Sequence, residues 1–217
     1  MGLLLTASSL WLPEALADTE ADAAFAELEN NLLTSDFSLT FDIVSTGPYP
    51  AHLEGAASLR GADEVSVEAD GQFAGEDVAI RLTARDGKMK GGNGASGFEQ
   101  STPGGLRKAL ILGLTRMGLL HNLAVMSSGA PPDHAGGGVR DWVQVKDLRL
   151  ATGTITDGDP ALAFHFTIVV SGEDAATAVL WVDAETGLPI KREQVVRFDG
   201  GEMRVTEIYS AMTIYPR

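Results

Sequence analysis

Histidine and cysteine, the residue types most often found in metal sites and nucleophilic catalysis, are scarce or absent in this sequence. Four histidines occur, at positions 52, 121, 134 and 165, and no two of them have the spacing of a zinc-binding motif. Cysteine is absent, so neither a thiolate metal site nor a cysteine nucleophile can form. We therefore predict no metal site and no cofactor.

A short glycine–serine stretch superficially resembles the nucleophile elbow of serine hydrolases. Residues 94–97 read Gly-Ala-Ser-Gly, but no strand pattern precedes them and no helix pattern follows. The glycine-rich stretch 91–105 is not a phosphate-binding loop either, because no Gly-Lys-Ser/Thr follows it. Its composition is instead typical of a flexible linker. No nucleophile with a base is recognisable, so we predict that the chain is not an enzyme.

The charge balance disfavours two classes of partner. The chain has 16 basic and 30 acidic residues, which gives a formal net charge of −14. Nucleic acid would be repelled at long range, and docking on anionic lipid headgroups is disfavoured for the same reason. The 44% of hydrophobic residues can build a sizeable core, and 217 residues suit one domain. We predict a soluble, monomeric protein that does not bind nucleic acid.

The first 17 residues have features of an export signal. Residues 2–12 form an apolar run, and Ala15 and Ala17 are small enough for the signal peptidase pocket. The usual basic residues are missing, since no Lys or Arg occurs before Arg60. We predict a signal peptide over 1–17 and one domain over 18–217; the alternatives are a start further upstream or a buried apolar segment.

Most of the remaining chain has the period-two alternation of half-buried strands. In residues 35–45, Phe37, Leu39, Phe41 and Ile43 alternate with polar residues. Asp86-Gly87 and the stretch 183–187 are turn signals. We predict strands over 35–45, 51–60, 64–73, 77–85, 139–151, 161–170, on both sides of 183–187, and over 202–215.

Two helices are predicted to cover the apolar face of this sheet. Residues 19–34 form an amphipathic helix with Phe25, Leu28 and Leu32 on one stripe. Residues 106–126 form a second helix that is apolar beyond a normal stripe. Glycine-rich loops over 87–105 and 127–138 flank it, and long flexible flanks suit a part that moves. The second helix is therefore either a fixed core element or a mobile lid.

The last 40 residues or so resemble a known family. Trp181-Val182-Asp183, the run 186–189 (Thr-Gly-Leu-Pro), Asp199-Gly200 and the run 206–209 (Thr-Glu-Ile-Tyr) are similar to the closing strands of the LolA/LolB superfamily of periplasmic lipoprotein carriers. That resemblance implies a mainly β fold with a few helices, in which a curved antiparallel sheet forms an open half-barrel covered by a helical lid. It also implies that acyl chains occupy the apolar space between sheet and lid.

Together these features predict a periplasmic carrier or chaperone that shelters the acyl chains of a lipid or lipoprotein. A membrane-bound donor or acceptor protein is expected as a further partner. The alternatives are a lipid-responsive periplasmic sensor similar to RseB, or a structural cell-envelope domain whose core is filled. The predicted cavity and lid residues are Phe37, Phe41, Leu106, Leu110, Leu114, Met117, Leu120, Phe164, Phe166 and Trp181.

Overall fold

A computed structural model describes residues 14–61, 64–127, 143–154, 160–198 and 200–215. Most of the predicted signal peptide and nearly all of the predicted loop 127–138 lie outside these residues. The helices are α1 (Glu14–Thr34), α2 (Leu106–Leu112) and α3 (Leu119–Ser127), with a π-helix (Gly113–Met117) after α2. The strands are β1 (Asp36–Thr46), β2 (Ala51–Arg60), β3 (Glu64–Phe73), β4 (Glu76–Arg85), β5 (Lys88–Gly92), β6 (Gly97–Ser101), β7 (Val143–Thr154), β8 (Pro160–Val170), β9 (Glu173–Asp183), β10 (Pro189–Phe198) and β11 (Gly201–Tyr215).

All eleven strands belong to one antiparallel sheet in the order β6-β5-β4-β3-β2-β1-β11-β10-β9-β8-β7. The sheet does not close into a barrel, so the predicted fold class is confirmed. Each half is a meander of sequential strands, and the halves meet where β1 pairs with β11. Because β6 and β7 are the two opposite edges, the helical segment between them must cross from one edge of the sheet to the other.

The apolar face of the sheet carries the core. In β1, residues 37, 39, 41 and 43 are buried, as the alternation predicts, and β8 buries Phe164, Phe166 and Ile168 on the same side. Helix α1 begins earlier than its predicted start and packs Phe25 edge-on against Phe164 and Phe166, at ring-centroid distances of 5.3 and 5.5 Å. Among the described residues, no helix combines the length and hydropathy needed to span a membrane.

The prediction of a flexible linker over 87–105 is wrong. Most of this stretch is the β5–β6 hairpin, which extends the sheet, and only residues 102–105 connect it to α2. A side chain at Gly91 would meet the Phe98 ring, because a Cβ there would lie 2.6 Å from it. That glycine therefore permits close packing. The connection into α2 is short, which removes one of the two flexible flanks on which the mobile-lid interpretation depended.

The single helix predicted over 106–126 is interrupted. After α2 the backbone widens into the π-helix and then breaks at Gly118, which has φ 85° and ψ 160°. The break places His121 in the first turn of α3. Leu110 and Leu114 line one space over the sheet, whereas Met117 lines another.

Candidate functional site

An apolar cavity of about 220 Å³ lies between α3 and the strands of the C-terminal meander. Its buried part is formed by Leu120 of α3, Ile168 of β8, Ala176 of β9 and Val205 of β11. The complete lining is Tyr49, Phe73, Met117, Leu120, His121, Ala124, Ile168, Ala175, Ala176, Gln194, Val196, Met203, Val205 and Glu207. The walls are thus mainly aliphatic, aromatic and thioether groups.

The cavity opens to solvent beside Tyr49, its exposed lining residue. Tyr49, which follows β1, is 52% exposed, whereas Phe73 and Met203 are partly buried against the core. The cavity therefore runs from a solvent-accessible aromatic rim to a buried end. An apolar group can enter at this rim without crossing the sheet.

Helix α3 divides the space over the sheet into two unequal parts. On the side facing β1–β3, the space that remains is only about 20 Å³. It is lined by Phe37, Leu39, Phe41, Ala57, Leu59, Val67, Leu110, Leu114, Leu119, Asn122 and Leu123. This side is filled by side chains, so only the side facing β8–β11 is open.

The buried end of the cavity contains the carboxylate of Glu207. This side chain is 1% exposed and accepts hydrogen bonds from the backbone N–H groups of Leu119 and Leu120, each at 2.9 Å. Tyr209 donates its hydroxyl to the same carboxylate. Burial raises the pKa of Tyr209, so the phenol keeps its proton and remains a donor. Glu207 therefore caps α3 at its N-terminus, where a negative charge is favoured.

Arg192 satisfies the other side of the helix break. Its guanidinium is 1% exposed and donates to the carbonyl oxygen of Thr115 at 2.9 Å and to that of Arg116. It also donates to Oε1 of Gln194 at 3.0 Å. Arg192 thus supplies donors for carbonyls at the end of the π-helix, where regular helical bonding stops. Both ends of the break at Gly118 are held by buried side chains from the sheet.

Two further arginines attach the helical segment to α1. Arg116 donates to both carboxylate oxygens of Glu29, at 2.6 and 2.7 Å, and Thr115 donates to the same carboxylate at 3.1 Å. Arg107 of α2 donates to the carbonyls of Leu32 and Leu33 at 3.2 and 3.3 Å, near the C-terminus of α1. These bonds make α2 and the π-helix part of the packed body of the protein.

The predicted site residues fall into three groups. Met117 and Leu120 line the open cavity, whereas Phe37, Phe41, Leu110 and Leu114 line the filled side, and Leu106 is buried in the same core. Phe164 and Phe166 pack beneath Phe25. Trp181 lies on the opposite face of the sheet, where Nζ of Lys191 is 5.0 Å from the centre of its ring.

Sequence reasoning missed the buried polar residues Arg192, Gln194 and Glu207. A signal for Glu207 was present, because it alternates with Val205 and Tyr209 and so shares their inward face. Arg192 and Gln194 have the same relation to Val196 in β10. Charged residues at inward positions of a strand indicate a buried network, but the pattern does not show what they bind.

His121 is a titratable group on the cavity wall whose protonation is affected by its surroundings. It is half-buried at the start of α3, and desolvation by burial holds its pKa below the usual value. The imidazole is therefore neutral near pH 7. At this position the wall therefore presents an uncharged side chain to a ligand.

One group of side chains among the described residues could hold a metal ion, on the opposite face from the cavity. His52 Nε2 lies 3.5 Å from Asp42 Oδ1 and 3.9 Å from Glu54 Oε1, with side chains 46–75% exposed. Asp42 and Glu54 are direct cross-strand partners. The prediction of no metal site used spacing along the chain, which does not detect a group assembled across two strands.

Comparison with known proteins gives structural likenesses only. No protein-family model and no curated protein matches the sequence. LprF from Mycobacterium bovis is 14% identical, with a TM-score of 0.47 over 92% of this chain and 97% of that one. The MucA/MucB complex from Pseudomonas aeruginosa gives 16% identity and a TM-score of 0.45, with 91% of this chain matching 58% of the other.

A further solved structure is the LolA superfamily protein NE2245 from Nitrosomonas europaea, at 12% identity and a TM-score of 0.36 over 91% of this chain and 94% of that one. The similar structures thus include a member of the superfamily that the C-terminal strands resemble. At identities of 12–16% and TM-scores of 0.36–0.47, these likenesses do not assign the chain to a family.

Proposed function

We propose that this protein is a periplasmic carrier that shelters the hydrocarbon part of a lipid or acylated ligand in the cavity beneath α3. The observation that supports this most directly is an apolar space of about 220 Å³ left open beside a tightly packed core. An apolar space of this size that is open to solvent beside a well-packed core can take up an apolar group.

The size and lining of the cavity fit an alkyl group. It exceeds the roughly 150 Å³ of an apolar cavity that stays dry and binds benzene. It lies below the roughly 300–1,000 Å³ of pockets for whole drug-sized ligands, so it suits part of a larger molecule. Burial contributes about 0.8 kcal/mol per methylene, which gives useful affinity without a specific polar contact.

The polar groups of the wall favour binding over catalysis. Glu207 and Gln194 both accept hydrogen bonds from the protein itself. The described lining contains one histidine, His121, and no serine, threonine or cysteine that could act as its nucleophile. A carrier must bury its ligand reversibly, and this wall allows that.

Delivery to or from a membrane-bound partner, in the periplasm after export, belongs to the same proposal.

Two alternative functions, a sensor and a structural domain, can be distinguished from a carrier. A lipid-responsive sensor would bind the same ligand but would also form a stable complex with a regulatory protein. A structural domain would have a filled core, and the open cavity argues against that role. Native mass spectrometry of gently purified protein separates the alternatives: bound lipid without a protein partner supports a carrier, and a co-purifying protein supports a sensor.

A substitution that fills the cavity tests the proposal directly. Ala124 is a half-buried lining residue of α3, so Ala124→Leu should occupy space needed by the ligand. We expect wild-type protein to bind 1-octanol in isothermal titration calorimetry and the variant to bind it at least tenfold more weakly. Ala26→Leu on the exposed face of α1 is the matched control and should bind as wild type. Absence of 1-octanol binding by the wild-type protein would contradict the proposal.

A further inference from the structure

The way α3 divides the space over the sheet limits the number of alkyl chains of a ligand that can bind. The open side measures about 220 Å³, whereas the filled side measures about 20 Å³, which is room for about one water molecule. Leu119 and Leu123 of α3 face the filled side, whereas Leu120 and Ala124 face the open side. A second chain would therefore have to displace packed core residues.

The depth of the open side is also limited. Beyond Leu120, the cavity meets Glu207 and Gln194, and Gln194 is hydrogen-bonded to the buried Arg192. Glu207 holds the N-terminus of α3, so a chain that passed this wall would have to break those bonds. Breaking these bonds would leave charged groups buried and unpaired. The free-energy cost of that is far larger than the gain from burying one more methylene. The cavity thus has an open rim and a closed end.

The volume of the cavity sets the length of chain that fits. A methylene group is close to a water molecule in size, so at about 30 Å³ each the cavity holds roughly seven such groups. Carbons beyond that number would remain at the rim near Tyr49, in contact with water. They would add little to the free energy of binding.

We propose that the site binds one alkyl chain and buries about seven of its carbons, with the rest of the ligand left outside the rim. This inference rests on the proposed function and narrows it to ligands that insert a single chain. A lipid with several chains would insert one of them. The geometry therefore limits the buried length of one alkyl chain, whatever the number of such chains on the ligand.

A homologous series of 1-alkanols with four to twelve carbons tests this directly by titration calorimetry. The dissociation constant should fall about fourfold for each added methylene up to about seven or eight carbons and then level off. A dissociation constant that continued to fall through twelve carbons would overturn the inference that only about seven carbons are buried. It would leave the proposed binding function intact. Absence of binding at every length would instead contradict the proposed function.

Paired substitutions on the two sides of α3 make the test specific. Leu120→Ala enlarges the open side and should move the plateau to longer alkanols by about three carbons, the number it removes from the wall. Leu123→Ala makes the same change on the filled side and should leave the plateau where it is in the wild type. Equal shifts in both variants would overturn the inference.

Both leucines are buried, so folding of each variant is checked by circular dichroism before titration. If Leu120→Ala does not fold, Ala124→Leu provides the opposite test, because it shortens the cavity from the same helix. In that variant the plateau should move to shorter alkanols by about three carbons. An unchanged plateau in a folded Ala124→Leu protein would overturn the inference.

Discussion

Two buried charged residues, Glu207 and Arg192, are satisfied chiefly by the ends of helices. The carboxylate accepts two backbone N–H groups at the start of α3, and the guanidinium donates to two carbonyls at the end of the π-helix. Such groups are costly to bury without partners. They are therefore compatible with the fold only while the helix is broken at Gly118, and they specify where the break occurs.

His121 makes the stability of the protein depend on pH. Burial lowers its pKa in the folded state, so below about pH 6.5 the unfolded chain binds more protons than the folded one. We expect this residue's contribution to be fully present above that pH. It should be lost as the pH falls from about 6.5 to the lowered pKa.

Urea unfolding at several pH values measures this effect. His121→Gln should flatten the profile of unfolding free energy below about pH 6.5, where the wild-type imidazole loses its contribution. His165→Gln, at an exposed position of β8, is the control for loss of an imidazole. A wild-type slope in His121→Gln would show that other groups cause the pH dependence.

At the scale of elements, the strands could be predicted well from sequence and the helical segment only in part. Alternation identifies strands because one face of this sheet is buried and the other is exposed, as in β1. The β5–β6 hairpin was missed because glycines such as Gly91, used here for close packing, have the composition of a linker. The π-helix was missed because the same apolar residues fit a continuous α-helix.

The candidate site, too, could be predicted from the sequence only in part. Sequence patterns identified Met117 and Leu120, which line the cavity, because apolar helix residues must face the sheet. They also selected Leu110 and Leu114, since a helix without the break would place all four on one face. No local pattern reports how α3 divides the space, because that depends on Arg192 and Glu207 in strands far away in sequence.

Gly118 is the position where the helical segment is most sensitive to substitution. Its φ of 85° disfavours any side chain, and a Cβ would lie 2.6 Å from Oε1 of Glu207 and 3.1 Å from Nε of Arg192. Gly118→Ala should therefore lower the free energy of unfolding by the backbone term of about 1–2 kcal/mol and by a further clash with two buried charges.

Gly172→Ala is the matched control for this substitution. Gly172 also has a positive φ, 87°, and a Cβ there would meet nothing within 4 Å, so the variant reports the cost of a side chain at positive φ without a clash. In urea denaturation we expect Gly118→Ala to be at least about 2 kcal/mol more destabilising than Gly172→Ala. Equal losses would show that Glu207 and Arg192 move aside without cost.

At the scale of the whole molecule, the excess of acidic residues should make stability depend on ionic strength. The formal charge of −14 produces self-repulsion in the compact state. Exposed ion pairs such as Arg81–Asp70 oppose it, but pairs at the surface contribute little. Raising salt from 10 to 200 mM shortens the screening length from about 30 Å to under 10 Å, so repulsion should weaken.

We expect NaCl over this range to raise Tm by about 2–4 °C, which corresponds to about 1 kcal/mol for a chain of this size. Choline chloride at equal ionic strength should give the same rise. An effect confined to the sodium salt would indicate binding of the cation instead of screening. A fall in Tm would show that attractive ion pairs outweigh the repulsion.

The pairing of β1 with β11 has a consequence for how the chain folds. All other neighbouring strands in the sheet follow one another along the chain, whereas partners such as Thr40 and Ser210 are separated by 170 residues. Hairpins close in microseconds, but contacts between distant residues must first overcome the entropy of closing a long loop. The two meanders can therefore form early and independently. Their joining at the centre of the sheet should set the refolding rate, and until it occurs the unpaired edges of β1 and β11 are open to other chains.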